Sequence, residues 1–132
     1  MKRESWLPAA PESAPLARAI VREAAAEHGL DGETTWDLML ATSEAVANAV
    51  VHGGNCGDPE RGVLLVIEID ENAISIEVCD CGTFNAALKP PGDDDLGGRG
   101  IPIIAAVADH FELVPEPSQT RVRFGKRLSL AV

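Results

Sequence analysis

The chain has 132 residues, of which 45% are hydrophobic and 24% are charged, and its formal net charge is −10. This length and composition predict a single globular domain, residues 1–132, with a hydrophobic core of its own. The acidic balance argues against a protein that binds nucleic-acid backbones through a basic surface. No apolar run approaches a membrane span and no signal-peptide core is present, so we expect a cytoplasmic protein.

The first half of the chain has helical periodicity. Residues 1–14 are rich in Pro, Ala and Ser and predict an irregular segment or a short edge strand. A first helix is predicted over residues 15–28, and a second begins at Asp31 or Thr34 and runs to about Val51. The spacing of the larger apolar side chains predicts the buried face of this second helix, which would comprise Trp36, Met39, Leu40, Val46, Ala47 and Val50.

The opposite stripe of the second helix is mostly polar. Its members follow one another at intervals of three or four residues and therefore share one side of the helix: Asp37, Ala41, Glu44, Asn48 and His52. Glu44 and Asn48 are separated by about 40° around the helix axis, so both head groups can reach one small ligand. This pattern indicates either a solvated polar stripe or a functional pair.

Two antiparallel strands are predicted next. Apolar and polar residues alternate over residues 63–69, turn-forming residues occupy 70–73, and a return strand places Val78 on its inward face. The period of two puts Asp80 on the same side as Val78. Because an unpaired buried carboxylate is costly, Asp80 requires a partner or a ligand. The alternative role is to cap the turn at Gly82.

Residues 85–100 contain two prolines, four glycines and three consecutive aspartates, which predict a long loop. Loops of this length in compact domains often serve as lids or binding loops. A helix is predicted after Gly100, and its free backbone N–H groups, together with the charge of Arg99, suit a phosphate group. The alternative is a glycine-rich turn with a surface arginine. Closing strands are predicted over residues 111–114 and 120–130.

The three cysteines, Cys56, Cys79 and Cys81, are odd in number and lack the spacing of a disulfide framework. We therefore expect reduced thiols. A structural zinc site is disfavoured because no second pair of cysteines completes the four ligands that zinc requires.

Three short motifs occur in a fixed order: Glu44-x-x-x-Asn48, Asp80-x-Gly82 and Gly98-x-Gly100. Together they resemble the N, G1 and G2 boxes of the GHKL ATPase superfamily. Residues 42–53 and 98–101 are also similar in amino-acid sequence to the bacterial anti-sigma factor serine/threonine kinases, or switch-protein kinases. The resemblance covers roughly residues 5–130. It implies an α+β Bergerat fold, a mixed and mostly antiparallel sheet with helices packed on one face.

The resemblance also implies roles for individual residues. Asn48 would coordinate Mg²⁺ through its amide oxygen, and Glu44 would be the general base that activates a protein hydroxyl. Asp80 would hydrogen-bond the adenine amino group, and Gly82 would let the base approach the backbone. The phosphates would be held by Gly98, Arg99, Gly100 and Ile101.

Three further features follow from the same comparison with the family. Residues 85–97 would form the ATP lid. Thr120 would contact adenine, although Gln119 stands where the family has a glycine before this threonine. Thr83-Phe84 follows Gly82 directly, whereas the family usually has one more residue there.

The resemblance implies a kinase that uses ATP and Mg²⁺ to phosphorylate an anti-sigma antagonist protein and that also sequesters a sigma factor. A homodimer is expected from the family, and no contact with nucleic acid or membrane. One alternative is a regulatory protein that binds nucleotide, or none, and transfers no phosphate. Another is a related ATPase, such as a solitary histidine-kinase catalytic domain. Glu44 favours the kinase, because binding a magnesium nucleotide requires Asn48 but no base.

Overall fold

The computed structural model describes residues 1–52, 61–81, 96–115 and 119–128. Within these ranges the chain forms five strands and three helices. Their order is β1 (Lys2–Leu7), α1 (Ser13–Glu27), α2 (Gly32–His52), β2 (Val63–Ile69), β3 (Ala73–Asp80), α3 (Leu96–Val107), β4 (His110–Pro115) and β5 (Thr120–Arg127). None of the described helices is long and apolar enough to cross a membrane.

The five strands form one antiparallel sheet in the order β1-β2-β3-β5-β4. Strand β1 therefore lies at an edge, whereas β5, which comes last along the chain, is an interior strand. The helices contribute to a core on one face of the sheet, where their small apolar side chains meet the inward residues of β2, β3 and β5. This architecture confirms the predicted α+β fold class.

The core is built from side chains that alternate along the strands, as the sequence pattern predicts. Strand β3 alternates buried and half-buried residues over its whole length. The largest side chain of the core is Phe124 of β5, which is fully buried. The core to which it belongs also includes, from the sheet and the helices, Val21, Leu38, Val46, Leu65, Ile67, Ile76, Val78 and Ile104. Burial of this apolar surface is the main favourable contribution to folding.

Both ends of the α1–α2 connection have a clear local cause. Gly29 has a φ of +67°, the left-handed conformation that ends α1, and glycine adopts it without steric cost. Asp31 then caps α2, because its Oδ1 accepts a hydrogen bond from the backbone N–H of Thr34 at 2.6 Å. That hydrogen bond also holds the pKa of Asp31 below its usual value.

The predicted buried face of α2 is wrong in orientation. Trp36 is 66% exposed, whereas Ala41, which was predicted in the polar stripe, is only 1% exposed. The residues that α2 buries are Leu38, Ala41, Thr42, Ala45, Val46 and Ala49. Four of these six are small or polar, and the three alanines let the helix lie close to the sheet. The prediction gave too much weight to large apolar side chains and therefore placed the buried face of α2 at the wrong angle around the helix axis.

The expectation of reduced thiols holds for Cys79 and is wrong for Cys81. Cys79 has a free thiol, and Cys81 is disulfide-bonded. Spacing along the chain carries no information on which distant cysteines come into contact, so the sequence could not predict this bond. Burial, together with a hydrogen bond to Glu77, raises the pKa of the Cys79 thiol to about 12.

Candidate functional site

Helix α2 presents Glu44 and Asn48 one turn apart, and both side chains are half-buried. Their separation of four residues places them on one side of the helix, as predicted. Asp37, which shares this stripe, has a different role, because its Oδ2 lies 2.7 Å from Nζ of Lys126 on β5. This ion pair ties the first half of α2 to the sheet. Glu44 and Asn48 are the candidate ligand-binding pair of the stripe.

The second part of the site lies at the end of β3. Asp80 is 9% exposed and is the only charged residue among the buried residues of the described chain. The prediction that it faces the same side as Val78 is confirmed by the burial pattern of the strand. The carboxylate is thus directed to the face of the sheet that carries the helices.

Thr120 lies directly beside Asp80. It is the first residue of β5, it is 4% exposed, and the antiparallel register makes it the partner of Asp80 across the two strands. Directly opposed residues in such a pair have Cβ atoms about 5 Å apart. A carboxylate and a hydroxyl that are 40 positions apart in the sequence therefore form one buried polar pair. The resemblance to the family named both residues, and the sheet register brings them side by side.

The segment Gly98–Ile101 lies within the first two turns of α3, and its side chains are outside the described part. The sequence predicts a loop that continues to residue 100, whereas the helix begins at Leu96. Because glycine is a poor helix former, the sequence pattern placed the start of α3 too late. Ile104, farther along the helix, is buried in the core, and this packing compensates for the low helix propensity of the glycines. Gly98 and Arg99 still belong to the first turn, where backbone N–H groups have no partner within the helix.

Two predicted features fall outside the described residues. Gly82 is one, and the other is the predicted lid, residues 85–97, apart from Leu96 and Gly97, which begin α3. Neither prediction is tested by the structure.

The donor set suits a cation that arrives with a nucleotide. Among the described residues, no group of three or more His, Cys, Asp or Glu side chains could hold a metal ion. Mg²⁺ usually keeps several waters and takes one or two oxygen ligands from the protein, with phosphate oxygens completing its shell. The amide oxygen of Asn48 is a ligand of this kind. The site therefore fits Mg²⁺ as part of a magnesium nucleotide.

Sequence reasoning missed two polar features on the helix-covered side, the Lys126–Asp37 ion pair and the buried hydroxyl of Thr42. The Lys126–Asp37 ion pair joins residues 89 positions apart. Thr42 of α2 is fully buried, and its hydroxyl has no hydrogen-bond partner among the described residues. Nothing in the local sequence distinguishes this threonine from an exposed one.

Comparison with known proteins agrees with this geometry. Residues 7–126 match the family of histidine kinase-like ATPase domains, which is most of the chain. The chain belongs to this family, and the predicted GHKL resemblance is confirmed.

Two curated relatives give the family a more specific context. The chain is 29% identical over 119 residues to the serine-protein kinase RsbW of Listeria innocua, covering 81% of this chain and 75% of that protein. It is also 29% identical over 106 residues to an anti-sigma F factor of Clostridium perfringens, covering 74% of this chain and 75% of the relative.

Solved structures support the fold. The structure of the RsbU and RsbW domains of Rv1364c from Mycobacterium tuberculosis superposes with a TM-score of 0.77 at 24% identity, covering 97% of this chain. The present chain spans 32% of that longer one. A histidine kinase domain from Erythrobacter litoralis EL346 superposes with a TM-score of 0.56 at 23% identity over 74% of this chain and 46% of the other.

Proposed function

We propose that this chain is an ATP-dependent protein serine/threonine kinase of the anti-sigma type. It transfers phosphate to a serine or threonine of an anti-sigma antagonist protein, and it also sequesters a sigma factor. The observation that carries the proposal is the buried Asp80–Thr120 pair, in a histidine kinase-like ATPase domain that keeps Glu44 and Asn48 on one helix. The names of its relatives, a serine-protein kinase and an anti-sigma factor, support the same reading.

The Asp80–Thr120 pair would recognise adenine. A carboxylate is an acceptor, so Asp80 would accept a hydrogen bond from the exocyclic amino group of adenine. Guanine has a carbonyl oxygen at that ring position, which would face the carboxylate with a second acceptor. Polar groups in a buried site discriminate strongly when a ligand leaves them unpaired. Gly82, two residues after Asp80, would border the same base.

The triphosphate would extend from adenine towards helices α2 and α3. Backbone N–H groups at the beginning of α3 and the charge of Arg99 would hold the phosphates, with Gly98, Gly100 and Ile101 in the same segment. Asn48 would hold Mg²⁺, which neutralises phosphate charge when bound. Residues 85–97 would close over the nucleotide as a lid.

Glu44 would act as the general base. It would accept the proton of the substrate hydroxyl while a bond forms between that oxygen and the γ-phosphorus and the bond to the leaving ADP breaks. A general base contributes about 100- to 10,000-fold to the rate of a reaction of this kind. Glutamine has the same shape but accepts no proton, so it isolates this role.

The decisive experiment incubates the purified chain with γ-labelled ATP, Mg²⁺ and a candidate antagonist protein. We expect label on a serine or threonine of the antagonist, and Glu44→Gln should lower the transfer rate by at least about 100-fold. ATP affinity of this variant should remain close to that of the wild type. The matched control is Glu33→Gln, which makes the same change in the first turn of α2 and should leave transfer unchanged.

The metal role has its own test. Asn48→Ala should abolish Mg²⁺-dependent ATP binding, measured by isothermal titration calorimetry, while the circular dichroism spectrum is retained. Wild-type affinity in this variant would refute the role of Asn48. Tight ATP binding without transfer would support a regulatory binding protein, and a chain that binds no ATP would disprove the kinase proposal.

The partners of the proposed kinase follow from the same reading. Sequestration of a sigma factor would place the protein in the bacterial cytoplasm, where it has no need to contact nucleic acid or membrane. A homodimer is also part of the proposal, on the strength of the family resemblance.

A further inference from the structure

Helix α3 contains a proline at a position where helices normally exclude it. Pro102 is the seventh residue of α3, which begins at Leu96, and its side chain is exposed. Because proline has no backbone N–H, it donates no helical hydrogen bond to the carbonyl oxygen of Gly98, four residues earlier, and its ring also crowds that oxygen. The interruption therefore directly follows the segment that the proposed function assigns to the phosphates.

The turn that precedes Pro102 is weakly helical by composition. Three of the five residues 96–100 are glycine, which is the poorest helix former after proline. An α-helix bonds each N–H to the carbonyl four residues earlier, so the N–H groups of Gly100 and Ile101 connect this turn to the helix. The next bond along the helix is the one that Pro102 removes. The turn is therefore the part of α3 that opens most readily.

The rest of α3 is held in place independently of this turn. Ile104 is fully buried, and Val107 and Ala108 pack against the core to which it belongs. The backbone N–H of Ala108 donates to the carbonyl oxygen of Ile104 at 3.1 Å, so helical bonding continues to the end of α3. Because these anchors all lie beyond the proline, opening of the first turn leaves the remainder of the helix in position.

We propose that α3 has two starts, Leu96 in the free protein and Pro102 in the nucleotide complex, and that Pro102 makes the exchange between them possible. This inference rests on the proposed nucleotide site. In the longer helix Pro102 lies in the second turn, where it is unfavourable. In the shorter helix it is the first helical residue, where the missing N–H costs nothing and its fixed φ suits the helix. The start that the sequence pattern predicts, after Gly100, is then the start in the complex.

Opening of the turn gives the phosphates more backbone donors. In the longer helix the N–H groups of Gly100 and Ile101 bond to carbonyls of their own helix. In the shorter helix both are free, and with those of Gly98 and Arg99 they form one continuous row of donors, which suits phosphate. The nucleotide therefore binds the shorter form more tightly and shifts the population towards it. Pro102 touches no substrate atom and is a positioning residue.

The variant Pro102→Ala tests the proposal, because alanine supplies the missing N–H. Without nucleotide, the amides of Gly100 and Ile101 should exchange with solvent at least about 10-fold more slowly than in the wild type, measured by nuclear magnetic resonance, and the melting temperature should not fall. The variant should nevertheless bind magnesium ATP about 10-fold more weakly in isothermal titration calorimetry, because the nucleotide must open a more stable turn. A purely structural role would not combine a better-protected helix with weaker binding. Pro15→Ala, an exposed proline in the first turn of α1, is the control and should change neither quantity.

The carbon-13 chemical shifts of the Cα atoms report the helix start directly. When the wild type is saturated with magnesium ATP, the shifts of residues 96–100 should move from helical to irregular values, while those of residues 103–107 stay helical. Helical shifts at residues 96–100 in the complex would overturn the proposal, and so would wild-type affinity for magnesium ATP in Pro102→Ala. A chain that binds no ATP would disprove the kinase. The exchange comparison needs no nucleotide, and unchanged exchange in Pro102→Ala would overturn the two starts in either case.

Discussion

The two faces of the sheet use the same five strands for different purposes. On the helix-covered face the strands present mostly buried apolar residues, and the polar groups there include Asp80 beside Thr120 at one end of β5 and Lys126, paired with Asp37, near its other end. On the open face, the side of the sheet away from the helices, charged residues of neighbouring strands lie together, and Glu77 forms ion pairs with both Arg121 and Arg123. The covered face therefore supplies most of the stability of the fold and carries the buried Asp80–Thr120 pair, and the open face carries the ion-paired Glu77, Arg121 and Arg123.

Removing the largest core side chain should give the greatest effect on stability. Phe124 is fully buried, and Phe124→Ala should lower the free energy of unfolding by about 3–5 kcal/mol through lost burial and a cavity. Urea denaturation followed by circular dichroism measures this loss. Glu68→Ala on the open face is the control, and it should change stability by less than about 0.5 kcal/mol. Equal losses in the two variants would contradict the contrast between the faces.

Thr42 is a polar exception on the covered side, because its buried hydroxyl has no hydrogen-bond partner within the part of the chain that the structure describes. Thr42→Val replaces this hydroxyl with a methyl group of similar size and should raise the free energy of unfolding by about 1 kcal/mol. For a domain of this size the melting temperature should rise by about 4 °C. Thr42→Ser keeps the hydroxyl and loses the methyl group, so it should melt below the wild type. If Thr42→Val is less stable than the wild type, the hydroxyl of Thr42 stabilises the folded state, and the prediction is wrong.

The smallest effect is expected at Glu77. Burial alone would raise its pKa, but the hydrogen bonds from Arg123 and Cys79 and the charges of both arginines bring the pKa below its usual value. When folding lowers the pKa of a carboxylate, the ionised group stabilises the folded state at pH values above the pKa that it has in the unfolded chain. This contribution disappears as the pH falls through the pKa that the group has in the folded chain. Glu77→Gln should therefore cost about 1 kcal/mol or less at pH 7.

This pH dependence distinguishes an ion pair from simple packing. The difference in unfolding free energy between the wild type and Glu77→Gln should shrink as pH is lowered below about 4, the usual range for a glutamate. A difference that stays constant over this range would indicate that the side chain contributes through shape alone. Measurements at a protein concentration low enough for monomers keep association out of the comparison.

The sequence predicted the features that depend on local periodicity. The strand pair β2–β3 and the inward direction of Asp80 follow from a period of two, and capping chemistry named Asp31 as one of the two predicted starts of α2. Glu44 and Asn48 share a helix face because helical geometry requires it. These predictions succeed because neighbours in the sequence decide them.

The failures have a different cause, since each depends on distant partners. The buried face of α2 is set by how closely Ala41 and its neighbours approach the sheet, and the start of α3 is set by packing of Ile104. The ion pair of Lys126 with Asp37 likewise joins positions that no periodicity connects. The resemblance to a family supplied Thr120 as a site residue, and the register of β3 with β5 supplied the reason.

The position of β5 within the sheet has a consequence for synthesis of the protein. β5 is the last described strand along the chain, yet it separates β3 from β4 and carries Thr120. A nascent chain that has emerged only as far as β4 already contains Glu44 and Asn48, but β4 has no strand to pair with and Asp80 lacks Thr120 beside it. The sheet should therefore close late and abruptly as the ribosome releases residues 120–127, and under the proposed role of this pair nucleotide affinity would appear only then.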